Sequence, residues 1–268
     1  MSAVRSKISQ EKFLPDNAAK SIDAPCCAPA VRRFGKSFMK DCNLIIRPLV
    51  AVRDSRLLWD LLGPIYNRRI QGAIAGLYEH VAREMALHRH RQILDVGSGG
   101  GYIAVEIAQK SPSSQVTGID YSPMQVRAAR QYAAKNDVTN CFFHRGNAMN
   151  IPCADRTFDA VVSIGSIKHW PDPARGLREI YRVLKPEGHF IISETDKEVS
   201  DDDLRDFITR FRVWFVPDML LLWGLRHVIF GRSFSETQLA RAVSAAGFKE
   251  VTCTRVKQCP YVVIQANK

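Results

Sequence analysis

A run of small residues inside an apolar stretch constrains this chain more than any other feature. The segment ILDVGSGGGYIAVEIA, residues 93–108, passes from apolar residues into a glycine-rich run and then into a helical pattern. Glycine allows backbone conformations and close approaches that a Cβ atom forbids. A strand, a glycine-rich turn and a helix in this order are typical of a sheet edge where a nucleotide-like ligand lies against the backbone.

Strand and helix patterns alternate from about residue 92, which predicts a parallel sheet covered on both faces. Helix starts are marked by Ser122-Pro123, by Asp172-Pro173 and by Ser235, and residues 186–188 are expected to turn the chain into the fifth strand. The predicted strands are QILDV, QVTGID, CFFHR, FDAVVS, HFIIS, VTCTRV and YVVIQA, the last two forming a hairpin-like antiparallel element. We predict an α/β fold: a doubly wound, mostly parallel seven-stranded sheet with N-terminal helices and a helical lid insertion.

The chain is long enough for one large domain with additions. Residues 1–42 have no sustained period and predict a loosely ordered arm. In residues 43–90 the apolar spacing becomes helical and is broken at Gly63-Pro64, which predicts two helices that cover the cleft. Residues 91–268 are the predicted main domain, and they include the insertion at 195–232, which we call the lid segment.

The formal net charge is +11, and much of the excess lies before residue 70. Such a flank attracts polyanions or anionic surfaces, and it is equally typical of a solvated face. No nucleic-acid-binding motif accompanies it, the first residues resemble no secretory leader, and no apolar stretch is long enough to span a membrane. The seven cysteines include no CxxC pair; a metal or redox role for Cys26-Cys27 lacks a third ligand. We expect a cytoplasmic protein with reduced thiols, no metal and no specific nucleic-acid partner.

The spacing of the glycines separates two kinds of cofactor. A dinucleotide fingerprint that starts at Gly97 would need glycine at position 102, where this chain has Tyr102. The pattern present is acid-x-Gly-x-Gly-x-Gly, and it resembles motif I of the class I S-adenosylmethionine-dependent methyltransferases. The resemblance extends over residues 92–265. The segment HWPDPARGLREIYRVLKPEGHFIISE is very similar to the ubiquinone/menaquinone-biosynthesis-like (type 11) subgroup.

The resemblance implies S-adenosylmethionine as cofactor and S-adenosylhomocysteine as product. It implies that Asp120 accepts hydrogen bonds from the ribose hydroxyls and that Asp95 helps to hold the methionine amino group. Asn147 departs from the family pattern, which usually has Asp there to accept from the adenine amino group; the amide oxygen can still accept one such bond. The cofactor residues predicted in this way are Asp95, Gly97, Ser98, Gly99, Gly101, Asp120, Tyr121, Asn147, Ala148, Met149 and Ser163.

A sulfonium methyl group is already activated, so the main task of the protein is to hold a nucleophile in line with it and to exclude water. His169, which follows the fourth strand, is the first candidate for a catalytic base, and the resemblance equally allows it a structural role in its loop. Tyr66, on a predicted covering helix, is the second candidate. Ser163 and Ile164 are expected to face the methyl group.

The lid segment contains FRVWFVPDMLLLWGLRHVIFG, a stretch whose apolar run is interrupted by charged residues and proline. It predicts the wall of an acceptor pocket or an interfacial patch. The alternative is that it packs against the N-terminal helices as additional core. The predicted lid residues are Trp214, Phe215, Met219, Leu222, Trp223 and Phe230.

These features together predict methyl transfer to a small hydrophobic or aromatic acceptor, quinone-like or lipid-like, with peripheral contact to a membrane surface left open. Enzymes that methylate nucleic-acid base amines typically carry an Asn/Asp-Pro-Pro-aromatic tetrad where this chain has Ser163-Ile164-Gly165-Ser166. Two alternatives stay open: an S-adenosylmethionine-binding or regulatory protein without turnover, and an RNA-modifying methyltransferase. The sequence leaves the oligomeric state undetermined.

Overall fold

The computed structural model describes residues 72–88, 90–210, 219, 222–223, 225–226, 230, 233–256 and 259–268. The predicted arm, the first predicted N-terminal helix, Tyr66, and the lid residues Trp214 and Phe215 lie outside these ranges, so the proposed domain boundaries stay predictions. Within the described ranges, no helix combines the length and the apolar character needed to cross a membrane.

One sheet with helices on both faces forms the body of the described chain. Its strands are β1 (Gln92–Val96), β2 (Gln115–Asp120), β3 (Cys141–Arg145), β4 (Phe158–Ile164), β5 (Leu184–Thr195), β6 (Lys249–Arg255) and β7 (Tyr261–Asn267). The helices are α1 (Ala75–Leu87), α2 (Tyr102–Lys110), α3 (Pro123–Lys135), α4 (Pro173–Val183), α5 (Asp201–Arg210) and α6 (Glu236–Ala245). A short 3-10 turn, Ile167–His169, links β4 to α4.

The strand order is β3-β2-β1-β4-β5-β7-β6. Strands β1 to β5 pair in parallel, and β7 pairs antiparallel with β5 on one side and β6 on the other. The predicted fold class is confirmed, including the antiparallel pair at the end of the sheet. The chain reverses its direction of winding between β1 and β4, and in such sheets a crevice opens at the carboxyl ends of these strands.

Local capping signals predicted the helix starts well. Ser235 and Gln238 form a reciprocal capping box at the start of α6. The Ser122 side chain accepts a hydrogen bond from the Gln125 amide, and Asp172 accepts one from the amide of Arg175. The turn expected at residues 186–188 is instead part of β5, which shifts register there against β4.

The two faces of the sheet carry separate cores. Alternating residues of β1 point to opposite sides, so that Ile93 belongs to one core and Leu94 to the other. Helices α1, α2, α3 and α5 cover the Ile93 side, and α4 and α6 cover the Leu94 side. The site described below therefore rests on a framework that is packed on both sides.

The described part of the lid segment divides between core and surface. Leu204, Phe207, Ile208, Leu225 and Phe230 are buried in the Ile93-side core, as the core alternative predicted. Met219 is 76% exposed and Trp223 is 38% exposed. The prediction that Met219, Trp223 and Phe230 wall the acceptor pocket is not supported, because none of the three is among the described residues that line the cavity.

Three histidines cluster at the amino end of the sheet, away from the glycine-rich turn. The ring of His189 lies 5.0 Å from that of His88 and 5.7 Å from that of His90, between ring centroids. Burial and the two neighbouring imidazoles lower the pKa of His189 to about 4, against a weaker opposing effect of Gln265. Burial and His88 also lower the pKa of His90, with Asp159 opposing.

This cluster is expected to make the fold sensitive to acid. In the folded state the pKa values of His189 and His90 lie below the usual imidazole value of 6.5. Both side chains therefore bind protons more weakly in the folded state than in the unfolded chain. Stability is therefore greatest above pH 6.5 and is lost as the pH falls toward the folded pKa values. Between pH 7.5 and pH 5.0 we expect a loss of about 1–2 kcal/mol in the free energy of unfolding, measured with urea.

The variant His189→Leu should remove much of this loss, whereas His144→Gln, a change at an exposed histidine on β3, should retain it. An unchanged pH dependence in His189→Leu would show that other groups cause the acid sensitivity.

Candidate functional site

A cavity of about 450 Å³ opens at the carboxyl ends of β1, β2 and β4, where the fold predicts a ligand. It is continuous from the glycine-rich turn to a wall of aromatic side chains. The described residues that line it are Ile74, Tyr78, Gly97, Ser98, Gly99, Gly100, Tyr102, Ile103, Ile119, Asp120, Tyr121, Ser122, Gln125, Gly146, Asn147, Ala148, Met149, Ile164, Gly165, Ser166, His169, Trp170, Pro171 and Tyr261.

The glycine-rich turn presents bare backbone to this cavity. Gly97 and Gly99 have φ angles of +77° and +50°, which L side chains rarely adopt. A Cβ atom on Gly97 would lie 2.5 Å from the Cβ of Ser166, whereas one on Gly99 would meet no atom within 4 Å. Gly97 and Ser98 donate their amides to the carbonyl of Ile119, which fixes the turn against the end of β2.

Asp120 ends β2 at the rim of the cavity. One carboxylate oxygen accepts the amide of Gly99 at 2.9 Å, and the other accepts the amide of Ser122 at 2.9 Å. These bonds hold the carboxylate between the glycine-rich turn and the start of α3. A carboxylate oxygen can accept more than one hydrogen bond, so a carboxylate held in this position is a suitable acceptor for hydroxyl donors of a ligand.

The loop that follows β3 forms the next part of the wall. Asn147, Ala148 and Met149 line the cavity, and Ala148 and Met149 also pack against the Leu94-side core. The amide oxygen of Asn147 already accepts the backbone N–H of Met149 at 3.0 Å. The acceptor capacity that the sequence assigned to this oxygen is therefore partly used within the loop.

Helix α4 holds this loop in place through a charged clamp. Arg182 donates to the carbonyls of Ile151 and Cys153, each at 2.9 Å, and to Asp155 at 2.7 Å. Glu179 accepts both from Arg182 and from the amide of Ile151. Hydrogen bonds from Arg182 and then from Ile151 outweigh burial and lower the pKa of Glu179.

Two buried polar groups beside the turn have no hydrogen-bond partner among the described residues. The carboxylate oxygens of Asp95 and the hydroxyl of Ser98 are both in this position. Burial, and then the charge of Asp120, raise the pKa of Asp95 well above its usual range. Unsatisfied buried oxygens next to bare backbone fit a ligand that brings hydrogen-bond donors, such as the ammonium and hydroxyl groups of S-adenosylmethionine.

Three predicted cofactor residues do not line the cavity among the described residues. Asp95 is fully buried behind the turn. Gly101 begins α2 with a φ of +81° and packs against Phe143 and Ala129, so its role is to allow close packing. Ser163 lies within β4 and donates its hydroxyl to the carbonyl of Val96 at 2.9 Å. Strand β4 runs one residue beyond its predicted end, to Ile164. Ile164 lines the cavity, whereas Ser163 is not among the described residues that line it.

The other end of the cavity is aromatic. His169 and Trp170 come from the 3-10 turn and the residue after it, as the position of His169 predicted. Trp170 packs so closely on α4 that a Cβ atom on Gly176 would lie 2.4 Å from its ring. The sequence reading did not single out Tyr78 on α1, Tyr102 on α2 or Tyr261, the first residue of β7.

A signal for two of these missed residues was present in the sequence. Tyr78 follows the predicted core residue Leu77 on a helix already expected to cover the cleft. An antiparallel final strand must begin at the edge where its parallel neighbour ends, and Tyr261 pairs with Thr195, the last residue of β5. Tyr121 was predicted, and it lies at the cavity rim, 55% exposed, with the Arg145 guanidinium 5.6 Å from its ring centroid.

Replacing Asp95 with asparagine should stabilise the ligand-free protein at pH 8. Folding raises the pKa of Asp95, so this carboxyl group contributes most to the stability of the fold at low pH. That contribution to stability is lost as the pH rises through the pKa of the folded state. We expect a gain of about 1–3 kcal/mol in the free energy of unfolding at pH 8, a smaller gain at pH 5, and weaker S-adenosylhomocysteine binding.

Asp159→Asn is the matched control with the opposite sign. Burial of Asp159 is outweighed by hydrogen bonds from Lys185 and from the amides of Gln92 and Arg91, which lower its pKa. This variant should lose stability at pH 8. A gain in both variants would contradict the assignment of the Asp95 effect to an unpartnered buried carboxyl.

Comparison with known proteins finds similarity to methyltransferases. Residues 87–214 match the family model described as a methyltransferase domain. A 101-residue segment, 38% of the chain, is 44% identical to 2-methyl-6-phytyl-1,4-hydroquinone methyltransferase 1 of Oryza sativa subsp. japonica, covering 30% of that protein. The demethylmenaquinone methyltransferase of Lactiplantibacillus plantarum is 28% identical over 214 residues, which are 72% of this chain and 87% of that protein.

The chain spans only part of several curated relatives. It covers 30% of the rice protein named above, 28% of a second rice phytylhydroquinone methyltransferase and 55% of a demethylmenaquinone methyltransferase of Deinococcus radiodurans. Among solved structures, an S-adenosylmethionine-dependent methyltransferase of Thermotoga maritima, titled as a possible histamine N-methyltransferase, superposes with a TM-score of 0.58 at 22% identity. The match covers 80% of this chain and 100% of that one, and it shows a common fold. The sheet order, the glycine-rich turn and the acidic end of β2 agree with the match of residues 87–214 to a methyltransferase domain.

Proposed function

We propose that this protein transfers the methyl group of S-adenosylmethionine to a small aromatic acceptor of the hydroquinone type. The observation that carries the proposal is the single cavity that joins the glycine-rich turn and Asp120 to an aromatic wall of Tyr78, His169, Trp170 and Tyr261. The names of the relatives support the acceptor class, because they are methyltransferases of a phytylhydroquinone and of demethylmenaquinone.

In this proposal the cofactor lies along the polar end of the cavity and supplies an electrophilic methyl group on its sulfonium. Asp120 accepts the ribose hydroxyls while the Gly99 amide keeps its carboxylate in place. The backbone of Gly97 and Gly99 contacts the methionine part, and the Ser98 hydroxyl oxygen, which has no partner among the described residues, receives a donor from it. Ala148 and Met149 contact the adenine, and the Asn147 amide oxygen offers its second lone pair to the adenine amino group.

The acceptor occupies the aromatic end. Flat rings stack and pack well against Tyr and Trp side chains, and an apolar wall excludes water from the reacting atoms. Trp170 is rigid there because it packs directly on Gly176. Protein groups in this part of the cavity hold the acceptor ring in line with the methyl group, which is the main contribution that such a reaction requires.

His169 is the proposed proton acceptor. A hydroquinone becomes a stronger nucleophile as its hydroxyl loses a proton, and an imidazole that lines the cavity can take that proton near neutral pH. Tyr66, the second base candidate, lies outside the described residues and stays a prediction, as does the peripheral contact to a membrane surface.

The test uses the full chain with labelled S-adenosylmethionine and two acceptor probes, 2-methyl-6-phytyl-1,4-hydroquinone and a reduced demethylmenaquinone. The expected result is label in an organic-soluble product, with a rate at least tenfold lower in His169→Gln and unchanged S-adenosylhomocysteine affinity in that variant. The exposed variant His144→Gln serves as the matched control and should react at the wild-type rate.

The alternatives give different results in the same experiment. Calorimetric binding of the cofactor with no label in either product would favour a regulatory binder without turnover. Binding of RNA with a steep dependence on salt concentration, together with label in RNA, would favour an RNA-modifying enzyme.

A further inference from the structure

A fully buried ion pair lies beside the aromatic end of the cavity. The ammonium of Lys168, in the 3-10 turn, is 2.6 Å from a carboxylate oxygen of Glu194 near the end of β5. The two side chains are 2% and 0% exposed. Neither residue is among the described residues that line the cavity, and the family resemblance assigned no role to either.

The stability of the fold alone is a weak explanation for this pair. Two charges lose their hydration on burial, and apolar residues of similar size often replace such pairs without loss of stability. Here burial acts to raise the pKa of Glu194, and the charge and hydrogen bond of Lys168 outweigh it, so the pKa lies below its usual range. The interaction with Lys168 therefore favours the charged form of the Glu194 carboxylate despite its complete burial.

The contacts of the pair show what it fixes. Glu194 accepts from the Lys168 ammonium, from the Lys168 amide at 3.4 Å and from the Thr195 amide at 2.7 Å. The Lys168 ammonium also donates to the Thr195 hydroxyl at 3.3 Å. Both the backbone and the side chain of the 3-10 turn are thus bound to the end of β5.

The pair lies between two elements that line the aromatic end of the cavity, the 3-10 turn and β7. The next residues of the turn, His169 and Trp170, line the cavity. On the other side, the ammonium lies 6.0 Å from the ring centroid of Tyr261, which also lines the cavity and pairs with Thr195 across the sheet. A change at the pair would therefore move the turn relative to β5 and β7.

We propose that Lys168 and Glu194 are positioning residues, which lock the 3-10 turn to the end of β5 so that His169, Trp170 and Tyr261 hold the acceptor in line with the methyl donor. This inference rests on the proposed function for its catalytic consequence. The locking of the turn is a property of the folded protein that can be measured without any acceptor.

The decisive variant is Lys168→Met/Glu194→Gln, which removes both charges and keeps side chains of similar size. Each single variant would leave an unpaired charge in the interior and is expected to fold poorly. In the double variant we expect an unchanged thermal midpoint and S-adenosylhomocysteine affinity within twofold of wild type. Amide hydrogen exchange at His169 and Trp170 should be at least tenfold faster, and KM for 2-methyl-6-phytyl-1,4-hydroquinone should rise at least tenfold.

The matched control is Lys185→Met/Asp159→Asn, which removes a half-exposed ion pair of the same 2.6 Å length elsewhere on the sheet. It should leave both the exchange at the turn and KM for the acceptor unchanged. If the first double variant does not fold, Glu194→Asp replaces it, because this change keeps the charge and shortens its reach; the same two increases are expected.

Two results would overturn the inference: wild-type exchange at the turn, or wild-type KM for the acceptor in a variant whose turn exchanges faster. If the wild-type protein transfers no methyl group to the probe, the proposed function fails, and the exchange measurement alone decides whether the pair locks the turn.

Discussion

Replacing Asp120 with alanine should weaken the binding of S-adenosylhomocysteine by roughly 1–3 kcal/mol, which is about 5- to 150-fold in the dissociation constant. The change removes a carboxylate that is proposed to accept the ribose hydroxyls. It also leaves the amides of Gly99 and Ser122 without the partner that each now has at 2.9 Å. Calorimetric titration of the purified variant and of wild type measures the difference directly.

One further variant separates the charge from the shape at Asp120, and a second variant, at an exposed carboxylate, is the control. Asp120→Asn keeps one acceptor oxygen and should lose less affinity than the alanine variant. Asp202→Ala removes a carboxylate that is 94% exposed on α5 and should bind like wild type. If Asp120→Ala also binds like wild type, the glycine-rich turn and the end of β2 do not hold the ribose, and the placement of the cofactor is wrong.

The second large effect is expected at Gly101, and it concerns stability. A Cβ atom at this residue would lie 2.7 Å from the ring of Phe143 and 2.8 Å from the Cβ of Ala129 on α3. The φ angle of +81° adds backbone strain for any L side chain. Gly101→Ala should therefore lower the free energy of unfolding by roughly 2–4 kcal/mol in urea titrations.

Gly99→Ala is the matched control, because its φ is also positive while no atom lies within 4 Å of the added Cβ. This variant should lose only the backbone contribution, about 1–2 kcal/mol. Equal losses in the two variants would show that the close packing at Gly101 contributes nothing, and that its conformation alone requires glycine.

The contrast between these glycines illustrates what could be predicted from the sequence. The spacing of the glycines placed the turn at the edge of the sheet where the cavity opens. It did not separate Gly99, which faces open space, from Gly101, which faces α3 and β3. That distinction depends on Phe143, which is distant in sequence, and no local pattern encodes it.

The helix starts, which depend on neighbouring residues, were predicted accurately, whereas the turn at residues 186–188 and the place of Tyr261 at the cavity were not. The capping signals at Ser235 and Asp172 are complete within four residues, and the structure contains both caps. The contribution of Tyr261 to the cavity follows from the insertion of β7 beside β5. The exposed position of Met219 was also not predictable, because an apolar run alone cannot distinguish a pocket wall from a surface.

The position of β7 has a consequence for the order in which the protein assembles during its synthesis. Strand β6 pairs only with β7 among the described strands, and β7 pairs with β5, which is made much earlier. While the ribosome is still adding Tyr261–Asn267, β6 has no partner to join, and β5 exposes an apolar edge. The aromatic end of the cavity also lacks Tyr261 at that stage. The aromatic end of the cavity is therefore completed after the glycine-rich turn has been made.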